Sequence, residues 1–174
     1  MNSGERRIRI REQLAIAGGP VKGAMLASLF SVSRQIVVQD IAVLRAEGAS
    51  IVATPQGYLL LPGRVTGMLT KTVVTRHNDS ASMEDELRIM VDRGARVLNV
   101  IVEHPLYGEI AGNLMIFTRS DVDRFMEKMR ESDGEPLSTL TGGVHLHTLE
   151  VPDETTWSSV LDGLREKNYL LEEK

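Results

Sequence analysis

The sequence predicts an α+β fold in two parts, and three observations lead to it. Residues 6–61 contain three segments whose apolar residues recur at helical spacing, followed by two short apolar runs around a turn. Residues 62–67 combine one proline with two glycines, and no apolar period passes through them. After them strands and helices alternate, which predicts an α/β sandwich with a mixed sheet and helices on one face. We therefore expect two domains, residues 1–62 and residues 68–174.

The first part has the element order of a winged helix-turn-helix. Its predicted helices cover residues 6–17, 21–30 and 34–48. Ser33 is well placed to cap the third helix, because its hydroxyl can accept from a backbone N–H in the first turn. Predicted strands at residues 49–53 and 58–61 flank a turn and form the wing.

The start of the third helix carries side chains that suit the edges of DNA bases. Val37, Ile41 and Leu44 mark its buried stripe, so the polar residues near its N-terminus cannot all be buried as well. In a helix-turn-helix this end enters the major groove, where arginine and glutamine suit guanine and adenine. The predicted DNA-binding residues are Ser33, Arg34, Gln35, Ile36 and Gln39, with Gln56 at the tip of the wing. The alternative is a solvated helix face and a plain solvated hairpin.

Charge is divided unevenly along the chain. Eight basic and four acidic side chains lie between Met1 and Arg64, against twelve basic and twenty acidic ones in the remainder. The basic first part is therefore the one expected to meet a polyanion. Because an aromatic content of 4% argues against stacking platforms for single strands, duplex DNA is the predicted partner. With no apolar run of about 18 residues, we expect a cytoplasmic protein and no membrane partner.

The second part alternates between strand and helix patterns. Its predicted strands cover residues 68–75, 95–102, 114–117, 144–149 and 169–171, and its predicted helices cover residues 82–92, 120–130 and 154–167.

All four histidines lie in this second part. Side chains two apart in a strand point to the same face, so His145 and His147 project together and can meet one ion. A polar sheet face that holds two histidines only for hydrogen bonding is the alternative. We expect the preceding glycines, Gly142 and Gly143, to let the backbone come close to a bound group.

Two further residues complete a candidate metal site. His77 follows the first strand of this part, and Glu86 lies on the helix after it. Because the chain has no cysteine, any metal must take imidazole and carboxylate ligands. His77, Glu86, His145 and His147 would suit zinc, nickel, iron or manganese and leave coordination positions open for a ligand. Against this, Glu86 belongs to an acidic run that begins at Glu84, and such runs are ordinarily solvated.

Four segments carry a resemblance to a known family. They are Ser-Arg-Gln-Ile-Val-Val-Gln-Asp-Ile at 33–41, Ile-Val-Ala-Thr-Pro at 51–55, Ile-Val-Glu-His-Pro-Leu-Tyr-Gly-Glu-Ile at 101–110 and Gly-Gly-Val-His-Leu-His-Thr at 142–148. Together they resemble the bacterial niacin-responsive repressors, which pair a winged helix-turn-helix with a three-histidine domain. The resemblance covers nearly the whole chain.

The resemblance implies a transcriptional repressor, not an enzyme, that controls genes for NAD biosynthesis or niacin uptake. Nicotinic acid is the implied effector, and a divalent transition metal, nickel or zinc, is the implied cofactor. By the family's pattern the metal ligands fall on His77, Glu86, His145 and His147. His104, Tyr107 and Glu109 are implied to hold the effector or to orient the site.

A homodimer is expected, because one recognition helix reads only a half-site, and the helix at residues 154–167 is a candidate interface. Two other functions are open at this point. A metal-dependent hydrolase of a small amide or ester would use the same cluster to activate water. A repressor that senses the metal itself would need no further effector.

Overall fold

The computed structural model describes residues 2–61 and 67–172. Contacts within the chain divide it into two compact units, Met1–Val65 and Thr66–Lys174, and each is described by itself. The predicted join at residues 62–67 lies outside the described residues, apart from Gly67.

The first unit consists of three helices and a two-stranded hairpin. Its elements are α1 (Ser3–Ala17), α2 (Gly23–Leu29), α3 (Arg34–Ala46), β1 (Ile51–Thr54) and β2 (Gly57–Leu60). The strands β1 and β2 pair antiparallel across the turn at Pro55 and Gln56. The core of the unit contains Ile10 and Leu14 of α1, Leu26 of α2, and Val37 and Ile41 of α3. This is the predicted order of elements.

The start of α2 differs from the prediction. Val21 exchanges both of its backbone hydrogen bonds with Tyr58 at 2.8 Å, which extends the hairpin by one bridge instead of starting the helix. Gly57, at φ +142°, makes this approach possible, because a Cβ there would overlap the backbone of Val21.

One charged residue lies inside the core stripe of α3. Asp40 is only 4% exposed, and its Oδ2 atom accepts from Nε of Arg6 on α1 at 2.6 Å. The second oxygen of Asp40 accepts from Nη2 of Arg6 at 3.3 Å. This bidentate pair joins α1 to α3.

No single helix in the described ranges is long and apolar enough to cross a membrane. Gly23–Leu29 and Arg34–Ala46 pass that test as a pair by length and composition only, and they are bent by 103°.

The second unit is a four-stranded sheet with helices packed on one of its faces. Its elements are β3 (Leu69–Arg76), α4 (Ser80–Asp92), β4 (Arg96–His104), β5 (Gly108–Ile116), α5 (Arg119–Glu131), a 3₁₀ helix (Leu137–Thr141), β6 (Val144–Val151) and α6 (Glu154–Glu166). The strand order is β3-β6-β4-β5. Met90 of α4, Val122 of α5 and Leu164 of α6 pack with Val97 and Leu149 of the sheet in one core. An α+β fold with helices on one face is therefore confirmed.

The expected mixed sheet is corrected in one respect: each strand pairing in the described sheet is antiparallel. The crossover through α4 makes β4 run parallel to β3, but it leaves a gap one strand wide between them. The last strand, β6, fills this gap antiparallel to both neighbours, so the parallel strands never pair.

Three further details differ from the sequence prediction. The strand β5 begins at Gly108, six residues before the predicted start at Leu114, because its first half, with two glycines and a glutamate, is poor in the residues that mark a strand. The predicted strand at 169–171 is a single bridge between Leu170 and Thr75. The 3₁₀ helix Leu137–Thr141 has no counterpart in the prediction, because one turn is too short to show a helical period.

Candidate metal centre

Strand β6 carries two of the histidines on the face that the helices cover. Its residues alternate between half-buried and buried, so His145, His147 and Leu149 share one face. Both imidazoles are nearly inaccessible, at 2% and 3% exposure. The prediction that His145 and His147 project together is confirmed by this alternation.

Helix α4 brings a carboxylate to these imidazoles. Glu86 is 0% exposed and lies on the same stripe of α4 as Met83, Leu87 and Met90. Glu84, by contrast, is half-buried and pairs with Arg88 in the next turn. The acidic run is therefore split, with Glu86 directed into the unit and away from solvent.

Three imidazole nitrogens surround one oxygen of Glu86. Its Oε2 atom lies 2.8 Å from Nε2 of His77, 3.2 Å from Nε2 of His145 and 3.3 Å from Nε2 of His147. The ligand atoms of His77, Glu86 and His145 all lie within 4.8 Å of one another. All four predicted metal ligands thus meet at the Oε2 atom of Glu86, and three of them, His77, Glu86 and His145, form the group whose ligand atoms are all close to one another.

Backbone carbonyls orient two of the rings. Nδ1 of His145 lies 2.8 Å from the carbonyl oxygen of Gly143, and Nδ1 of His147 lies 2.8 Å from that of Asn99. A carbonyl only accepts, so each Nδ1 must carry a proton and donate it. In a neutral ring the Nε2 atom then carries a lone pair and no hydrogen. It therefore cannot donate to the carboxylate oxygen that it faces. A proton on each Nε2 atom, or one cation among these atoms, resolves the conflict.

The surroundings of Glu86 favour its ionised form. Burial alone raises the pKa of this carboxyl, but the charge of His147 and hydrogen bonds from the three imidazoles outweigh it and hold the pKa well below its ordinary value. Burial lowers the pKa of His145, and its contact with Glu86 overcomes that effect and raises it. The other oxygen of Glu86, Oε1, is buried without a hydrogen-bond partner among the described residues. A buried, ionised and incompletely bonded carboxylate beside three imidazoles fits a divalent transition metal.

His77 is held in place by the loop before β6. Its backbone N–H donates to the carbonyl oxygen of Gly143 at 3.3 Å. Gly143 has φ +92°, and a Cβ there would overlap the Asn78 amide and the carbonyl oxygen of His77. The close neighbour of Gly143 is therefore the chain itself, and the sequence prediction that Gly143 lets the backbone approach a bound group stays a prediction. Gly142, at φ +61°, has open space where its Cβ would be.

A cavity of about 370 Å³ opens beside His77. Its wall combines the start of α4, the 3₁₀ helix and the two glycines before β6. The lining residues are His77, Asn78, Asp79, Ser80, Met83, Pro136, Ser138, Thr139, Gly142 and Gly143. Of the four candidate metal ligands only His77 lines it, so this side chain is shared between the cavity and the cluster.

The three residues predicted to hold an effector lie elsewhere. His104 ends β4, and its Nδ1 atom accepts from the backbone N–H groups of Leu106 and Tyr107 at 3.2 and 3.3 Å. Tyr107 stacks on that ring and is 72% exposed. Glu109 pairs with Glu103, and by strand alternation both point to the sheet face opposite His145. None of the three lines the cavity beside His77, and their predicted role stays a prediction.

The predicted DNA-contacting residues lie at the start of α3. The Ser33 hydroxyl accepts from the backbone N–H of Ile36 at 3.3 Å, which confirms its N-cap role. Arg34, Gln35 and Gln39 are exposed, and Ile36 is half-buried. Both amide atoms of Gln56 are buried, without a hydrogen-bond partner in the described part of the chain. In this conformation Gln56 does not present its amide to solvent, and its predicted DNA contact remains untested.

Two residues that support the cluster escaped the sequence prediction. The Thr75 hydroxyl lies 3.1 Å from Nε2 of His145, and Thr75 is fully buried. Asn99 orients His147 through its carbonyl and accepts from the backbone N–H of Thr148 through its side chain at 3.1 Å. The sequence signal that could have identified Asn99 was its polar side chain within an otherwise apolar predicted strand.

Comparison with known proteins agrees with this architecture. The HTH domain family matches residues 6–59, and the 3H domain family matches residues 70–173. The chain is 46% identical over 154 residues to the probable transcription repressor NiaR of Thermotoga maritima, covering 88% of this chain and 86% of that protein. It is 34% identical over 168 residues to the transcription repressor NadR of Bacillus subtilis, covering 94% and 93% of the two chains.

Both relatives are named as repressors, which confirms the prediction of a DNA-binding repressor over that of a metal-dependent hydrolase. With matches to both domains and to two relatives over most of their length, this chain belongs to the NiaR/NadR-type family of transcription repressors, with an HTH domain followed by a 3H domain.

Proposed function

We propose that this protein represses genes of NAD biosynthesis or niacin uptake by binding operator DNA in response to nicotinic acid. It acts in the cytoplasm as a homodimer and holds a divalent metal ion, nickel or zinc. The observation that carries the proposal is the buried carboxylate of Glu86, with the Nε2 atoms of three histidines within 3.3 Å of one of its oxygens.

The proposed metal ligands are His77, Glu86, His145 and His147. Bound there, the ion would supply a positive charge to the Nε2 lone pairs and to the unpartnered Oε1 atom of Glu86. The carbonyls of Gly143 and Asn99 keep the Nε2 atoms of His145 and His147 directed at the site.

We place the effector in the cavity beside His77. Its volume of about 370 Å³ lies within the range of about 300–1,000 Å³ of small-molecule sites. Met83 and Pro136 offer an apolar wall for a flat ring, and Ser138 brings a hydroxyl group that suits a carboxylate. The Thr139 hydroxyl donates to the carbonyl oxygen of Pro136 at 2.8 Å instead. The carboxylate of Asp79 is engaged by the N–H and hydroxyl of Ser82, at 2.8 and 2.7 Å, which limits its repulsion of an anion.

The DNA-binding step rests on the exposed start of α3. Arg34, Gln35 and Gln39 are the proposed base-reading residues, with Ser33 as the helix cap beside the phosphates. Nicotinic acid changes DNA affinity only if it binds one arrangement of the protein better than another. Nicotinic acid and DNA must then change the affinity of the protein for each other by the same factor.

Calorimetric titration of nicotinic acid into nickel- or zinc-loaded protein and into chelator-treated protein tests the proposal. We expect binding to the metal-loaded form and at least tenfold weaker binding to the chelated form. Nicotinamide, which lacks the carboxylate, is the matched ligand control and should bind weakly. Equal binding to both forms would refute a role of the metal in holding the effector.

A second measurement follows the response on DNA. A duplex selected by the protein from a random library serves as probe, with metal alone and then with nicotinic acid added. We expect nicotinic acid to tighten binding in the metal-loaded protein and to have no effect on His147→Ala. Full DNA binding with metal alone, unchanged by nicotinic acid, would instead identify a repressor that senses the metal itself.

A further inference from the structure

The sheet of the second unit has one face that its helices do not cover. Strand alternation places His147 and Leu149 on the helix-covered side and their neighbours on the other side, here called the open face. The open face consists of Thr70, Thr72, Val74 and Arg76 of β3, Val144, Leu146, Thr148 and Glu150 of β6, Arg96, Asn99, Ile101 and Glu103 of β4, and Glu109, Ala111 and Asn113 of β5.

An apolar row crosses this face from edge to edge. Val74 pairs with Leu146, Leu146 with Ile101, and Ile101 with Ala111, so the four side chains lie side by side on four strands. Beyond β3 the N–H of Leu171 donates to the carbonyl of Val74 at 3.0 Å, and Leu171 is 46% exposed. Antiparallel sheets usually keep a water-facing side polar, so a continuous apolar row indicates a face that is covered by a partner.

Charged side chains lie in both strand directions from the apolar row, and the strands that carry the positive and negative charges are exchanged between the two ends of the face. Arg76 lies on the outer strand β3, whereas Glu103 and Glu109 lie at the other side of the sheet, on β4 and β5. At the far end of the face the positions are reversed in sign, because Glu150 lies on β6 and Arg96 on its neighbour β4. Within the described ranges none of Arg76, Glu103, Glu109 and Glu150 forms an ion pair of its own.

We propose that the open face is the surface on which a second copy of this chain docks, about a two-fold axis that runs parallel to the strands between β6 and β4. This operation exchanges β3 with β5 and β6 with β4. Arg76 then meets Glu109 of the second copy, and Glu150 meets its Arg96. Leu146 lies over Ile101 of the second copy, and Val74 over its Ala111.

In this arrangement the apolar row lies over its own copy, and Arg76 and Glu150 each meet an opposite charge. Sheets that stack face to face do keep their strands near alignment. With four strands about 4.8 Å apart and about 3.3 Å per residue, the face covers roughly 500 Å². Two such faces bury about 1,000 Å², which is at the lower limit for a specific interface.

The inference rests on the proposed homodimer but not on the metal or the effector. Sedimentation of the full chain tests it through Leu146→Asp and Ile101→Asp, each of which puts a charge into the apolar row. We expect a dimer for the unchanged protein and monomers for both variants, with circular dichroism and melting temperature reporting an intact fold. Leu140→Asp, at a position 52% exposed on the 3₁₀ helix, is the matched control and should stay dimeric.

Charge exchange at exposed positions tests the open face as a docking surface even if the aspartate variants do not fold. Arg76→Glu alone and Glu109→Arg alone each place like charges opposite one another in both symmetric contacts, so each should weaken self-association at least tenfold. A mixture of the two variants places opposite charges in both contacts and should form a heterodimer. Within one chain the strands β3 and β5 are about 14 Å apart, so rescue cannot come from an internal ion pair.

The outcomes separate the two proposals. A dimer that Leu146→Asp and both charge variants leave unchanged overturns the docking surface and leaves the proposed homodimer standing. Weakened single variants without rescue in the mixture overturn the two-fold arrangement. A monomeric unchanged protein overturns the homodimer and the docking surface together, and titration with nicotinic acid still tests the rest of the proposed function.

Discussion

The backbone N–H of His77 donates to the carbonyl oxygen of Gly143 at 3.3 Å, and the same oxygen accepts from Nδ1 of His145 at 2.8 Å. One carbonyl therefore positions two of the imidazole-bearing segments, one directly after β3 and the other at the start of β6. The close approach depends on the missing side chain of Gly143.

Substitution of this glycine should disturb the metal centre from a distance. Gly143→Ala introduces a Cβ that overlaps Asn78 and the carbonyl of His77, so His77 must move away from Glu86. We expect the affinity for nickel or zinc to fall about 10–100-fold, as it does when groups that orient a ligand are lost. Calorimetric titration of metal into the chelator-treated variant measures this.

Gly142→Ala is the matched control for this change. Both glycines have positive φ, so both alanines carry a backbone strain of about 1–2 kcal/mol, but only the Cβ at 142 meets open space. Metal affinity should stay within about threefold in Gly142→Ala. An equal loss in both variants would show that strain, not the overlap with His77, is responsible.

Much of the fold could be predicted from the sequence, because its signals are local. Ser33 before the stripe of Val37 and Ile41 predicts the capped helix α3, and the spacing of His145 and His147 predicts their common face. The antiparallel sheet could not be predicted this way, since the position of β6 between β3 and β4 depends on contacts across the whole unit. The roles of Thr75 and Asn99 at the cluster follow from strand register, which the sequence alone does not contain.

Glu86→Gln should separate a metal ligand from a structural ion pair. The change keeps the shape of the side chain but removes its charge, so we expect metal affinity to fall at least tenfold. Without metal, the variant should melt lower than the unchanged protein at neutral pH, because a pKa held well below its ordinary value means that the buried charge of Glu86 stabilises the fold. With metal at about 100 times its Kd, only the unchanged protein should gain about 2.7 kcal/mol.

Glu84→Gln on the same helix provides the control, since Glu84 is half-buried and contacts Arg88. It should retain the metal-dependent rise in melting temperature. A Glu86→Gln variant that melts lower without metal and still binds it fully would mean that the carboxylate serves only to pair the histidines.

The pair of Arg6 and Asp40 should stabilise the first unit. Arg6→Ala leaves the carboxylate of Asp40, which is 4% exposed, without its bidentate partner. Loss of this part-buried, bidentate pair should lower the melting temperature of the first unit, and the loss is limited because Nη1 of Arg7 lies 3.8 Å from Asp40 and can replace part of the interaction. Hydrogen exchange of the amides in α1 and α3 should become faster in Arg6→Ala, while that of β6 stays unchanged.

Arg9→Ala is the control for this prediction, because Arg9 is exposed on the same helix and forms no ion pair within the described part of the chain. Its exchange rates should match those of the unchanged protein. Similar acceleration in both variants would mean that the loss of any arginine from α1, and not the contact with Asp40, is responsible.

Arg34 should contribute to DNA binding without contributing to the metal centre. It is the first residue of α3, it is exposed, and the Ser33 cap fixes the helix turn that carries it. Loss of a base-reading arginine costs about 1–3 kcal/mol, so Arg34→Ala should weaken binding to a selected duplex about 5–150-fold and relax its base preference at one position.

Arg130→Ala is the control, because Arg130 is an exposed arginine at the end of α5, and it should leave DNA affinity nearly unchanged. Metal affinity should be the same in both variants, because neither residue lies in the cluster around Glu86. A parallel loss of DNA and metal binding in Arg34→Ala would mean that the substitution unfolds the protein, whereas unchanged DNA binding would remove α3 from the proposed DNA interface.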